Sequence, residues 1–171
     1  MSSFDHYALL KNLFVLGTTT SAVGAAPGGL LFTSYLHIPA YVKNTSDDSL
    51  LTQWQTMRAL GRVALPPLAL IAAGANFVNS YLTHGQPQQI RFITAGALSL
   101  AILPYTFVAL GSRNAELTAR AANKGTGGVP AARGQDVRSL ISQWGTRSAV
   151  RGVLMLASAI FSYDAMLHLT F

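Results

Sequence analysis

Cysteine is absent from the chain, which excludes disulfides and thiolate metal ligands. Charge is scarce as well. Only 11% of the residues are Asp, Glu, Lys or Arg, and just 6 of them are acidic. A soluble domain carries about a quarter charged residues, so this deficit argues against an ordinary water-facing surface. No phosphate-binding glycine loop, nucleophile elbow or paired zinc-ligand helix motif occurs. With 171 residues the chain fits one domain, leaving no room for a dinucleotide or flavin domain beside a membrane part.

Apolar residues are abundant: 50% of the chain, with a mean hydropathy of +0.35. The net charge of +6 does not point to nucleic acid. Arg113, Arg120, Lys124, Arg133, Arg138, Arg147 and Arg151 fall between or beside apolar stretches, without the interleaved aromatics of a single-strand binder. A bilayer-spanning helix needs about 20 predominantly apolar residues. Four stretches qualify, at about 9–36, 60–82, 90–110 and 150–171. The expected fold is therefore an all-α polytopic membrane four-helix bundle.

The first stretch is rich in small residues, with Gly17, Ser21, Gly24, Ala25 and Gly28 at near-helical spacing, which favours close helix approach. Pro27 is expected to bend it. It lacks the basic start and compact apolar core of a signal peptide. Pro66-Pro67 stand near the opening turns of the second. Only "THGQPQQ" joins the second stretch to the third, so those two helices are antiparallel neighbours. The connection 111–143 divides into "SRNAELTARAA", able to prolong the third helix, and the Gly/Pro-rich "NKGTGGVPAARGQ", read as a mobile loop. Basic residues concentrate in connections 1–2 and 3–4, which places those in the cytoplasm and both termini on the other side.

"LLTQWQTMRALGR" and "LISQWGTRSAVRG" are nearly the same phrase. Leu50/Leu140, Gln53/Gln143, Trp54/Trp144, Thr56/Thr146 and Ala59/Ala149 coincide, and each block leads into a span. Two similar helical hairpins side by side, a pseudo-repeat, would account for this. Trp54 and Trp144 suit membrane interfaces on composition alone. Arg62 and Arg151 follow them by seven or eight residues, on approximately the same face and deeper. An arginine so placed is either an interfacial anchor or faces a polar cavity or an anion. Asn76, Asn79 and Asn114 could join helices by hydrogen bonds or, with the arginines, line a polar pocket that Tyr105 and Thr106 also reach. His37 stands past the first span on the Trp side, and histidine is the side chain that titrates near neutrality. At the opposite side Asp164 and His168 share a helix face and, with Asp5, His6 and His84, offer a loose non-haem metal set.

The order Trp…Arg into a span with an intramembrane asparagine, then Pro104-Tyr105-Thr106, Asn114-Ala115-Glu116-Leu117 and the later Trp144…Arg151 pair, resembles the membrane-protein family that contains the fungal anthrone oxygenases. The resemblance runs from the first span to the last. It departs from the family's pattern at Gly111-Ser112-Arg113 and at Arg147. What it implies is a cofactor-independent monooxygenase of polyketide secondary metabolism, with O2 as co-substrate, converting an anthrone to an anthraquinone in an endomembrane. In that role Arg151 or Arg62 would stabilise the substrate anion, Asn76 and Asn114 would fix its oxygens, and His37 would take a proton. Trp54, Trp144 and Tyr105 would stack on the flat ring. The implied partners are a lipophilic aromatic substrate and the bilayer; a homo-oligomer is left open by the sequence. Alternative readings are a non-catalytic four-helix membrane protein binding a lipophile or scaffolding a partner, and a metal-dependent oxidase using Asp164 and His168. A proton-coupled transporter is disfavoured by the lack of intramembrane acids.

Overall fold

The computed structural model describes residues 3–25, 30–123 and 136–169. Pro27, Gly28, Lys124, Arg133 and nearly all of the Gly/Pro-rich stretch lie outside them. Among the described residues there is helix and turn but no strand. In chain order stand α1 (Ser3–Ala25), α2 (Leu30–Phe32), a π-helical turn (Thr33–His37), α3 (Ile38–Asn44), α4 (Asp47–Leu82), α5 (Gln89–Ala122) and α6 (Val137–Leu167).

The helices are longer than their apolar cores. α4 and α6 begin at Asp47 and Val137, so each Trp block is an early turn of the same rod as the span it leads into. α5 runs unbroken through the polar "SRNAELTARAA". Pro66, Pro67 and Pro104 lie inside helices, tolerated where neighbouring groups take up the freed carbonyls. Residues 30–44 are helical beyond the expected end of the first stretch at about 36. Pro39 follows the π-helical turn directly, in the first turn of α3, and has no N–H to give to the turn before it.

α4 packs on α5, α5 on α6, and α1 closes the circuit against α4 and α6. α4, α5 and α6 are long and apolar enough to cross a membrane. α1 is not among them, since Lys11 and the run Thr18-Thr19-Thr20-Ser21 lower its hydropathy. The bundle is inverted relative to a water-soluble one. Phe107 (80% exposed) and Val108 (85%) face outward, whereas Ser21, Asn76, Asn79, Ser99, Ser158 and Ser162 are buried. Helices gain no hydrophobic drive from one another in lipid, so small and hydroxylated residues at their contacts are the stable arrangement.

The short segment 30–44 lies antiparallel across α6. Leu31 fills the space over Gly152 and Ile38 that over Gly145. A Cβ at either glycine would come within 2.7 Å of the opposing side chain. Arg138 ties the corner down, bonding the carbonyls of Val42 and Thr45 and pairing with Asp47 at 3.1 Å.

Candidate functional site

The two tryptophan blocks meet. Trp54 and Trp144 pack edge to face, with ring centroids 6.3 Å apart and planes at 83°. Leu50, Leu51, Leu140, Ile141, Ile38 and Leu117 surround them in one apolar cluster. The local chemistry is duplicated too: Thr56 bonds the carbonyl of Thr52, and Thr146 that of Ser142. Both rings are buried, so neither presents a free face. Trp144 donates its indole N–H to Asn114 Oδ1 at 3.0 Å, while that of Trp54 has no acceptor. The guanidinium of Arg58, a residue missed from the sequence, lies over the Trp54 ring at 5.4 Å and bonds the hydroxyl of Thr118. Asn114 is thereby committed to holding Trp144.

Arg62 and Arg151 differ sharply. Eight residues turn an α-helix about 80° past two full turns, whereas seven leave it about 20° short. Arg151 thus keeps the inward face of Trp144, and Arg62 rotates out to the surface. Arg151 is buried at 7% exposure. It bonds the Ser148 hydroxyl one turn earlier, and its Nε has no partner. Among the described residues no carboxylate pairs with it. Glu116 holds Arg113 and Arg120, Asp164 holds Arg91, and Asp47 holds Arg138. An uncompensated buried cation is costly, because low dielectric penalises charge without a counter-charge.

Tyr105 donates its hydroxyl to the carbonyl of Arg147, one turn before Arg151, at 3.1 Å. Arg147 in turn reaches across to the carbonyl of Ala109 at 2.9 Å. α5 and α6 are therefore stitched together around Arg151. The third wall comes from the segment over α6. Ser34 lies between Leu31 and Ile38, whose partners Gly152 and Gly145 bracket Ser148, so Ser34 comes level with Ser148. Its buried hydroxyl is also without a partner. Ser34 and His37 belong to the π-helical turn, a distortion frequent at functional sites. His37 is half-buried, its ring against Phe32 at 4.6 Å and Tyr41 at 5.8 Å.

Asn76 does not join this group. From Trp54 to Asn76 the helix rises about 33 Å, so the amide belongs to the other half of the bundle. There it bonds the carbonyl of Ala72 at 2.8 Å. Thr106 bonds its own helix at Ile102. Asp164 and His168 lie together at 3.3 Å, but Asp164 is also held by Arg91 at 2.9 Å and His6 reaches the carbonyl of Leu82. The described residues contain no group of three or more His, Asp or Glu placed to hold a metal.

The sequence-predicted residues thus separate into three levels: Trp54, Asn114 and Trp144 at one end, with His37 beside them near Gly145, then Arg151 and Tyr105 in the middle, where Ser34 also lies, and Asn76 beyond. Among the described residues the middle level combines a buried arginine that no carboxylate pairs with, its unpartnered Nε and the unpartnered Ser34 hydroxyl, and it can hold an anion.

The model of the family described as anthrone oxygenase matches residues 54–161. An anthrone oxygenase of Claviceps purpurea is 32% identical over 141 residues, covering 81% of this chain and 80% of the relative. An anthrone oxygenase of Aspergillus fumigatus is 26% identical over 149 residues (79% and 82%). A monooxygenase of Dothistroma septosporum is 26% identical over 138 residues (78% and 72%). No solved structure matches.

Proposed function

The chain belongs to the anthrone oxygenase family, and on that premise we propose that it is a membrane-embedded oxygenase that uses O2 to convert an anthrone-type polyketide to the corresponding anthraquinone. The observation that carries this reading is Arg151, a buried cation with an unpartnered Nε and no carboxylate.

An anthrone's central methylene is acidic for a carbon acid, and its anion is electron-rich enough to react with O2. His37 takes the first proton. The anion's negative charge, delocalised onto the carbonyl oxygen, lies against Arg151, with Ser148 and Ser34 as neighbouring hydroxyls. A fixed cation in a site shielded from water stabilises such charge far more than solvent does, because nothing must reorganise during reaction. O2 then adds at the carbon. The peroxide gains a proton, loses the second C–H proton and breaks its O–O bond, leaving the quinone carbonyl and water. The protein supplies charge and position, and the electrons come from the substrate.

The same reading gives the bundle four spans. α1 lies along α4 and α6 and serves as the fourth, with Thr18 and Ser21 turned to α6 and Lys11, Asn12 and Thr19 exposed. The Trp end, where Arg58, Arg62, Arg113, Arg138 and Arg147 gather, faces the cytoplasm, and both termini face away. The α1–α4 and α5–α6 pairs are the two hairpins of the pseudo-repeat. A lipophilic ring system reaches the middle level from the bilayer, in an endomembrane.

The experiment is oxygen uptake by detergent-purified protein supplied with an emodin-type anthrone, with spontaneous oxidation subtracted. One quinone formed per O2 consumed, at a rate unchanged by chelators, is the expected result. No rate above the protein-free control across several anthrones would return the chain to lipophile binding or scaffolding. A rate abolished by chelators would move the chemistry to Asp164 and His168.

A further inference from the structure

Away from the Arg151 level, toward His168, the interior changes character twice. One turn on from Tyr105 and Arg151 stand Ile102 and Met155, both buried and flanked by Leu68 and Leu154. This layer is apolar. A turn further, Ser21, Ser99 and Ser158 from α1, α5 and α6 meet with no solvent exposure. Ser158 donates to the carbonyl of Ala95 at 2.8 Å, so Ser99, 2.8 Å from it, is the donor of that pair. Ser21 lies 3.2 Å from Ser158 and 3.4 Å from Ser99. One turn beyond, Thr18 meets Ser162 at 3.0 Å.

α4 completes this half. Gly17 of α1 lies flat against it, and a Cβ there would stand 3.2 Å from both Asn76 Nδ2 and Ala75 Cβ. Asn76 Nδ2 is satisfied by Ala72, but Asn76 Oδ1 is not. Asn79, a turn nearer the end and 0% exposed, has no partner for either Nδ2 or Oδ1. At the end of the bundle Gln88 uses its Nε2 on the carbonyl of His168, while its buried Oε1 is again unpartnered.

Five buried amide atoms in one half of the bundle, Gln86 Oε1 among them, thus lack partners: four acceptors and one donor. Leaving such a group unmade costs about 1–3 kcal/mol, and more where lipid surrounds the helix. The serine hydrogens are spent within their own cluster and on Ala95, so they do not supply the missing donors. Whatever satisfies Asn76 and Asn79 has to donate and accept, be small, and be uncharged, since the ionisable Asp164, His168 and Arg91 sit at the end of the bundle rather than in this layer. Buried water has these properties and typically makes about three hydrogen bonds to groups of this kind.

We propose that Asn76 and Asn79 hold ordered water in a polar well that runs from Gln88 to the Ser21–Ser99–Ser158 cluster and ends at the Ile102–Met155 layer. The bundle then has two compartments. One is hydrated. The other, at Arg151, is set off from it by a single apolar layer, Ile102 and Met155 with Leu68 and Leu154. The proposal stands on the unpartnered amides and does not depend on which reaction Arg151 serves.

Solid-state NMR of the full chain in lipid bilayers tests it, with 15N-labelled asparagine and alanine and magnetisation transferred from water. The side-chain amides of Asn76 and Asn79 are expected to gain signal as fast as that of exposed Asn44, well ahead of the buried amides of Ala69 and Ala72. Build-up no faster than at those alanines overturns the proposal. Asn79→Leu fills the well with an apolar side chain of similar branching and greater volume. It is expected to slow transfer to Asn76 at least severalfold, and unchanged transfer contradicts a shared well. The measurement on the unmodified chain decides the question even where that variant does not fold.

Discussion

Trp144 donates its indole N–H to Asn114 Oδ1 at 3.0 Å, joining the last third of α5 to the early turns of α6. The bond is shielded by the cluster that contains both tryptophans. Asn114→Ala leaves a buried donor without an acceptor, so a loss of about 1–3 kcal/mol is expected. Thermal unfolding in detergent, followed by tryptophan fluorescence, reads it. Truncating exposed Asn123, whose amide bonds the Ala119 carbonyl at 2.9 Å at the end of α5, should cost less, under about 1 kcal/mol.

Gly152 has no room for a side chain. A Cβ would come within 2.7 Å of Leu31 Cγ and 3.1 Å of its backbone nitrogen, so the whole segment 30–44 would have to shift. Gly152→Ala is expected to destabilise by about 1–3 kcal/mol, the usual penalty of overpacking. At Gly111 a Cβ meets nothing within 4 Å. Gly111→Ala should instead stabilise α5 by up to about 1 kcal/mol, through helix propensity alone. Equal effects of the two substitutions on the melting temperature would contradict the packing of residues 30–44 on α6.

Arg62 and Arg151 provide a matched comparison. Arg62 is exposed, so Arg62→Gln is expected to leave kcat within about threefold of the unmodified chain, a range corresponding to well under 1 kcal/mol. Steady-state quinone formation measures it. A large loss at Arg62 would mean that the surface of α4, rather than the interior beside α6, holds the substrate.

Much of this arrangement is legible in the sequence, and the limits are physical. Helical class follows from the length of the apolar stretches, whereas the contact between Trp54 and Trp144 is visible only in the fold, since a shared phrase says nothing of which faces meet. The fate of Arg62 was not legible either, because a spacing of seven or eight residues reads as the same face until the phase is counted: one residue rotates the side chain about 100°. Asn76 looked like a neighbour of Asn114 because polar residues in apolar stretches attract one explanation, although they lie at opposite ends of the bundle. Ser34 and Ser148 carry no sequence signal. They become candidates only when Leu31–Gly152 and Ile38–Gly145 fix the register of the short segment on α6. Helix beyond about 36 was hidden by the polar run that follows, and the buried serine cluster by the modest hydropathy of α1.

The orientation is open to direct test. A glycosylation acceptor or protease-sensitive tag added after Phe171 is expected on the non-cytoplasmic side, and one placed in the 3–4 connection on the cytoplasmic side. Protease protection in sealed membranes distinguishes them. A cytoplasmic C-terminus would require the Arg-rich Trp end to face outward, against the distribution of basic residues.

The most direct test of the account is the rate of quinone formation by Arg151→Gln beside the unmodified chain, both in bilayer discs with the same anthrone, and with folding verified by helical circular dichroism. Loss of an electrostatic stabiliser in a dry site predicts a fall in kcat of about 10²–10³-fold, with the fold retained. A folded variant that turns over at the rate of the unmodified chain would contradict the assignment of the anion to Arg151.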